Sequence, residues 1–220
     1  MFIIISVLLV ICSIILDLLP NFVYSSALKL AIYVLAMLLV FIDMKIKLKK
    51  VNNIEEKTNI RRKHLIIILV IYVILLGSLL FIDKGYRREK WQYRVAFLSQ
   101  EHFKLHSNFI PFKTIGNYIR GALKDTVGIK TVIINILGNI IAFASFGIFI
   151  PLIWNKYYLK FKNFILLMCV IIGIVEIMQF VTMIGACDID DLILNLFGAC
   201  TLYGLLRISK IRKIVDKVVE

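Results

Sequence analysis

The stretch Asp188-Ile189-Asp190-Asp191-Leu192-Ile193-Leu194-Asn195 sets three carboxylates and an amide in or beside apolar sequence. A charged side chain at the centre of a membrane helix costs roughly 2.5 to 3.5 kcal/mol on insertion scales, so it persists only where something offsets that cost. On a helix, Asp188, Asp191 and Asn195 fall at i, i+3 and i+7 and share one face, while Asp190 points elsewhere. Helix capping accounts for part of the group: Asp188 suits an N-cap, and negative charge is favoured at the positive end of the helix dipole. It leaves Asn195, a full turn deeper, unexplained. Two further polar pairs lie upstream in apolar runs, Glu176 with Gln179 at i, i+3 and Asn135 with Asn139 one turn apart.

Three kinds of chemistry suit these residues. Amides between membrane helices act as glue, at about 0.6 kcal/mol each on average. Intramembrane acids mark a pathway or a binding site. Asp188, Asp190, Asp191 and Glu176 also have the oxygen ligands that a divalent cation needs to grip a lipid-linked phosphate. Other chemistry is not signalled. There is no Gly-x-Ser-x-Gly, no His-Glu-x-x-His and no glycine-rich phosphate loop. His102 and His106, four apart, are explained by an amphipathic surface helix without a metal. Cys12, Cys169 and Cys200 lie in apolar runs as packing residues, and Cys187 stands alone beside the acids.

The elements that must position this chemistry are membrane helices. The chain has 220 residues, 60% of them hydrophobic, and a mean hydropathy of +0.90, which is the profile of a polytopic membrane protein. The net charge of +13 invites a nucleic-acid reading. We reject it, because Lys and Arg lie mostly beside the apolar runs, as orientation in a membrane requires.

The expected fold is therefore all-α, a polytopic transmembrane helix bundle of about six spans: Met1 to Leu19, Phe22 to Ile42, His64 to Ile82, Thr131 to Trp154, Phe164 to Met183 and Asp190 to Leu206. The first lacks a basic leader and a cleavage site and is read as a retained span. Pro20-Asn21 makes a tight turn, and Lys29 is expected to snorkel to an interface. Between Asp43 and Lys63 eight basic residues face three acids, which reads as a cytoplasmic loop. Both termini then lie in the cytoplasm and Asp83 to Lys130 lies outside. This long outer loop mixes Trp91, Tyr93, Phe97 and Phe103 with basic residues, so it contains an amphipathic interfacial segment. The outer side receives Asn108, Asn135, Asn139, Glu176, Gln179, Asp188, Asp190, Asp191 and Asn195 as one polar pocket, with the Asn108 to Ile115 element as its lid. Glu176, about 10 Å below the outer end of its helix, is expected to be protonated or bonded to Asn135, Asn139, Gln179 or Asn195. Gly138 and Ala142 are expected to admit a neighbouring helix, and Gly173 shares the flank of Glu176 and Gln179.

Four separate elements carry a resemblance. Asn108-Phe109-Ile110-Pro111-Phe112-x-Thr114-Ile115 comes first. Then follow Asn135-x-x-Gly138-Asn139-Ile140-x-x-Phe143-x-x-Phe146-Gly147 with Pro151, Glu176-x-x-Gln179, and Asp188-Ile189-Asp190-Asp191-x-x-x-Asn195-x-x-Gly198. Together they resemble the VanZ-like family of bacterial membrane proteins. The division expected is 1–104 as N-terminal spans, basic loop and start of the outer loop, 105–206 as the VanZ-like core, and 207–220 as a basic cytoplasmic tail. The resemblance implies a multi-pass protein of the bacterial cell membrane whose named relative confers low-level resistance to the glycopeptide teicoplanin. Two positions depart from it: Ser145 stands where the family often has Pro, and Gly185 where it often has Arg. Loss of that guanidinium removes a partner for the acids or for a ligand phosphate. The function expected is a non-enzymatic envelope protein that binds a lipid or lipid-linked cell-wall precursor head group at the outer leaflet. The alternative is a metal-assisted membrane enzyme acting on a phosphorylated lipid intermediate. Its partners are the lipid bilayer and the precursor, with no nucleic acid.

Overall fold

A computed structural model describes residues 1–19, 25–82, 107–154, 160–182 and 184–219. The Pro20-Asn21 turn and the aromatic and basic stretch holding Trp91, Tyr93, Phe97, Phe103, His102 and His106 lie outside these residues. The chain is an all-α, polytopic membrane fold. Among the described residues, five helical stretches are long and apolar enough to cross a bilayer: Ser26–Lys49, Ile54–Ile82, Ile129–Ile153, Phe161–Val181 and Ile189–Leu206. The first expected span is the shorter apolar helix α1, Phe2–Leu18, of 17 residues, at the lower limit of what a hydrocarbon core of about 30 Å requires.

The described residues fall into two compact units, one of residues up to 82 with 152–154 and 209–219, the other of 107–151 and 160–208. In the first unit, α1 is followed by α2 (Ser26–Lys49) and α3 (Ile54–Gly77), which continues into a π-helical turn at Ser78–Ile82. Both long helices begin where a side chain takes up an orphan amide. The Ser25 hydroxyl accepts from the Leu28 N–H at 3.2 Å, and the Asn53 side chain accepts from the Glu55 N–H at 2.8 Å. Lys47 and Lys49 in the last turn of α2, and Glu55 and Glu56 in the first turn of α3, match the dipole of each end. The segment expected as a loop from Asp43 to Lys63 is therefore helical apart from residues 50–53. Apolarity ends near Ile42, but capping, not apolarity, sets where a helix stops.

One face of α2 carries Tyr33, Ala36, Val40 and Met44, all fully buried at helical spacing. Lys29 sits on that face and does not snorkel. Its Nζ lies 2.8 Å from Asp17 Oδ1 and donates to Ser78 Oγ at 2.9 Å, and Ser78 Oγ donates to Asp17 Oδ2 at 2.7 Å. All three side chains are buried. Opposite charges close together offset a desolvation that a lone ammonium could not bear. A second polar group joins α2 to α3, where Asp43 Oδ2 meets His64 Nε2 at 3.0 Å and Lys47 Nζ at 2.7 Å. The last element of this unit is α9 (Ser209–Val219) in the basic tail.

The second unit runs β1 (Ser107–Asn108), α4 (Lys113–Leu123), α5 (Ile129–Ala144), α6 (Phe146–Ile153, up to Pro151 in this unit), α7 (Phe161–Val181), β2 (Cys187–Asp188) and α8 (Ile189–Leu206). Helices α5 and α6 are consecutive, divided at Ser145, whose carbonyl accepts the N–H groups of Ile148 and Phe149 at 3.0 Å each. Their approach to α8 is close because two glycines remove the Cβ. A Cβ on Gly147 would strike the Ala199 carbonyl, and one on Gly198 the Ile140 carbonyl. Gly138, expected to serve that purpose, has nothing within 4 Å of such a Cβ. On the other side of α8, Tyr203 stacks on Phe164 of α7 with ring centroids 4.2 Å apart.

Candidate functional site

The acidic motif begins as a strand. Cys187 and Asp188 pair in parallel with Ser107 and Asn108, with Asn108 opposite Asp188. Asp188 then starts α8 as its N-cap, its Oδ1 accepting the Asp190 N–H at 2.9 Å. The same oxygen accepts from Asn108 Nδ2 at 2.9 Å, and Oδ2 accepts from the Thr114 hydroxyl at 2.6 Å. Asn108 also shapes the turn that follows it, its Oδ1 accepting the Ile110 N–H at 3.1 Å.

Asp190 caps a different helix. At the start of α4, Phe112 has φ 62°, and no side chain next to it in sequence caps the helix. The Asp190 carboxylate reaches across instead. It accepts the N–H groups of Phe112 at 2.5 Å, Thr114 at 2.7 Å and Ile115 at 3.0 Å. A carboxylate thus satisfies three first-turn amides and sits at the positive end of the α4 dipole. Asp190 is 0% exposed. The different direction expected for its side chain has this cause.

Asp191 faces α5, where the Asn139 side-chain amide donates to it. Glu176 on α7 is buried and accepts the Asp188 N–H at 3.4 Å. That partner is a backbone amide, not any of the four side-chain amides expected. Asn195 is 3% exposed, and its Oδ1 has no hydrogen-bond partner among the described residues. Asn135 turns back on its own helix, Nδ2 donating to the Thr131 carbonyl at 2.8 Å. Gln179 is half-buried, and its stem packs beside Gly185. The structure thus brings Asn108, Asp188, Asp190 and Glu176 together at the start of α8, joins Asp191 to Asn139, and leaves Asn135 outside the hydrogen-bonded group. The sequence reading did not single out Thr114 as a site residue. Its place in the Asn108 to Ile115 element was the signal.

Asp188, Asp190, Asp191 and Glu176 are the candidate ligands of a divalent cation. Their surroundings do not fit that role. The two carboxylates of Asp188 and Asp190 already accept six hydrogen bonds. Among the described residues no three His, Cys, Asp or Glu side chains are gathered as an ion would need. The nearby Cys187 does not supply a ready nucleophile. Burial, and then the charges of Glu176 and Asp188, push its thiol above the ordinary cysteine range. What the arrangement does physically is anchor. Two aspartates fix the segment 107–115 to the first turn of α8 and leave Phe109, Ile110 and Phe112 facing outward at 59%, 60% and 64% exposure.

The family model described as VanZ/LLP1 matches residues 68–210, more than half of the chain. No curated protein and no solved structure matches it.

Proposed function

The chain belongs to the VanZ/LLP1 family, and from that membership we propose that it works in the bacterial cell membrane with both termini cytoplasmic. There it binds a lipid or lipid-linked cell-wall precursor head group at the outer leaflet. By occupying that head group it changes susceptibility to teicoplanin-type glycopeptides, without turning the lipid over.

One observation carries this reading. The Asn108 to Ile115 segment is fixed by Asp188 and Asp190, next in sequence to Asp191 with its Asn139 partner, and has an outward apolar surface of Phe109, Ile110 and Phe112. Exposed aromatic and aliphatic side chains at a helix end suit acyl chains. Lys113, Arg120 and Lys124 on or beside α4 suit a lipid phosphate. Acids and amides one turn further in suit the hydroxyl and amide groups of a precursor.

The experiment compares a deletion strain with strains carrying Asp190→Asn or Gln179→Ala, scoring precursor lipid composition and teicoplanin susceptibility together at matched protein abundance. The reading expects both variants to move both measures towards the deletion strain. A deletion strain indistinguishable from wild type in both measures overturns it.

A further inference from the structure

Helix α9 carries five charged residues, Lys210, Arg212, Lys213, Asp216 and Lys217, within Ser209–Val219, a density that suits the surface of a membrane and not its hydrocarbon core. Val219 is buried, and Ile211 and Val215 are half-buried. Arg212 pairs with Asp216, the one acid of the helix, at 3.2 Å. Beside that face stand Ile214 and Val218, one turn apart, 63% and 52% exposed. Lys210, Lys213 and Lys217 are exposed on the adjoining flank.

The helix is tied to α2. Lys45 Nζ donates to the Val218 carbonyl at 3.2 Å, placing a cation at the negative end of the α9 dipole. Helix α2 is long and apolar enough to span the membrane, and its end bears Lys47 and Lys49, with Lys50 following. Thus α9 is held where a membrane-crossing helix turns basic. An exposed apolar pair flanked by lysines matches a helix lying in the head-group plane, apolar side chains among the acyl chains and lysine stems reaching out to phosphates.

We propose that α9 and the basic end of α2 form a binding site for anionic phospholipid head groups in the leaflet where α2 ends. Ile214 and Val218 enter the bilayer, and Lys210, Lys213, Lys217, Lys49 and Lys50 take the phosphates. The site does not depend on the head-group site described above. It binds the host bilayer itself.

The test is hydrogen–deuterium exchange on the full chain in nanodiscs of phosphatidylcholine alone or of phosphatidylcholine mixed with phosphatidylglycerol. Each lysine near an anionic surface strengthens binding roughly fivefold, so the amides of Ser209–Val219 are expected to exchange at least about tenfold more slowly with phosphatidylglycerol present. The triple variant Lys210→Gln, Lys213→Gln, Lys217→Gln is expected to lose that difference while the amides of α8 keep their protection. Replacing the same lysines with Arg is expected to restore it. Equal wild-type exchange in the two bilayers overturns the proposal, as does a triple variant that keeps the full difference. Protection that follows the number of protein copies per disc, not the lipid, also overturns it and assigns the face to a second copy of this chain.

Discussion

Asn108 and Asp188 are joined twice, by backbone pairing in the parallel two-residue ladder and by a side-chain hydrogen bond of 2.9 Å from amide to carboxylate. Thr114 donates to the other oxygen of the same carboxylate. Asn108→Ala is expected to cost about 1 to 3 kcal/mol, since it leaves a buried acceptor short of a donor. Thr114→Val acts on the same carboxylate, so the two changes together should depart from additivity by about 0.5 kcal/mol or more. Thermal unfolding of the four proteins in detergent measures both values.

Asp190→Ala uncaps α4. Three amides lose their acceptor, and the expected loss is about 2 to 4 kcal/mol. Asp190→Asn keeps one oxygen and should lose less. Exchange at Phe112, Thr114 and Ile115 reports the effect directly, and unchanged protection there in Asp190→Ala would refute the capping assignment.

The glycines divide cleanly. Gly147→Ala and Gly198→Ala force a methyl group against a backbone carbonyl and should each destabilise the packing of α5 and α6 on α8 by about 1 to 3 kcal/mol. Gly138→Ala meets open space and should be neutral or stabilising by up to about 1 kcal/mol, from helix propensity alone. Melting temperatures of the three variants test the ranking.

The buried pair in the first unit predicts a reversal. Lys29→Met strands the Asp17 carboxylate in an apolar interior and should cost about 3 to 5 kcal/mol. Adding Asp17→Leu removes the stranded charge and should recover most of that loss. A double variant no more stable than Lys29→Met alone would mean that the charges are not balancing one another.

Cys187 supplies a pH dependence. Its thiol titrates above the ordinary cysteine value, first through burial and then through Glu176 and Asp188. At pH 8 it therefore holds less thiolate than a free cysteine, and alkylation should be slower, rising as pH passes the ordinary value. In a chain with Cys12, Cys169 and Cys200 changed to Ala, the rate measured against pH checks this. Glu176→Gln removes one repelling charge and should shift the curve to lower pH.

Apolar runs made most of the helices legible, because about 30 Å of hydrocarbon demands long stretches without charge. Helix ends were less so. Apolarity stops near Ile42, whereas α2 continues to Lys49. Lys29 looked like a residue reaching for an interface because its partner Asp17 lies on another helix, and no spacing within one helix connects the two. The motif around Asp188 was legible as a cluster and its internal capping was foreseen. The role of Asp190 was not, since capping a helix 75 residues away depends on tertiary contact. Glycine spacing likewise marked Gly138, while the actual helix crossing fell at Gly147 and Gly198.

The tie between Asn108 and Asp188 spans 80 residues of chain. At a synthesis rate of about 5 to 20 residues per second, the earlier strand leaves the ribosome about 4 to 16 s before its partner. Throughout that interval the amides at the start of α4 lack their carboxylate. The joint is thus completed only when α8 has begun to form, which makes translation of the acidic motif the step that commits the preceding segment to its place.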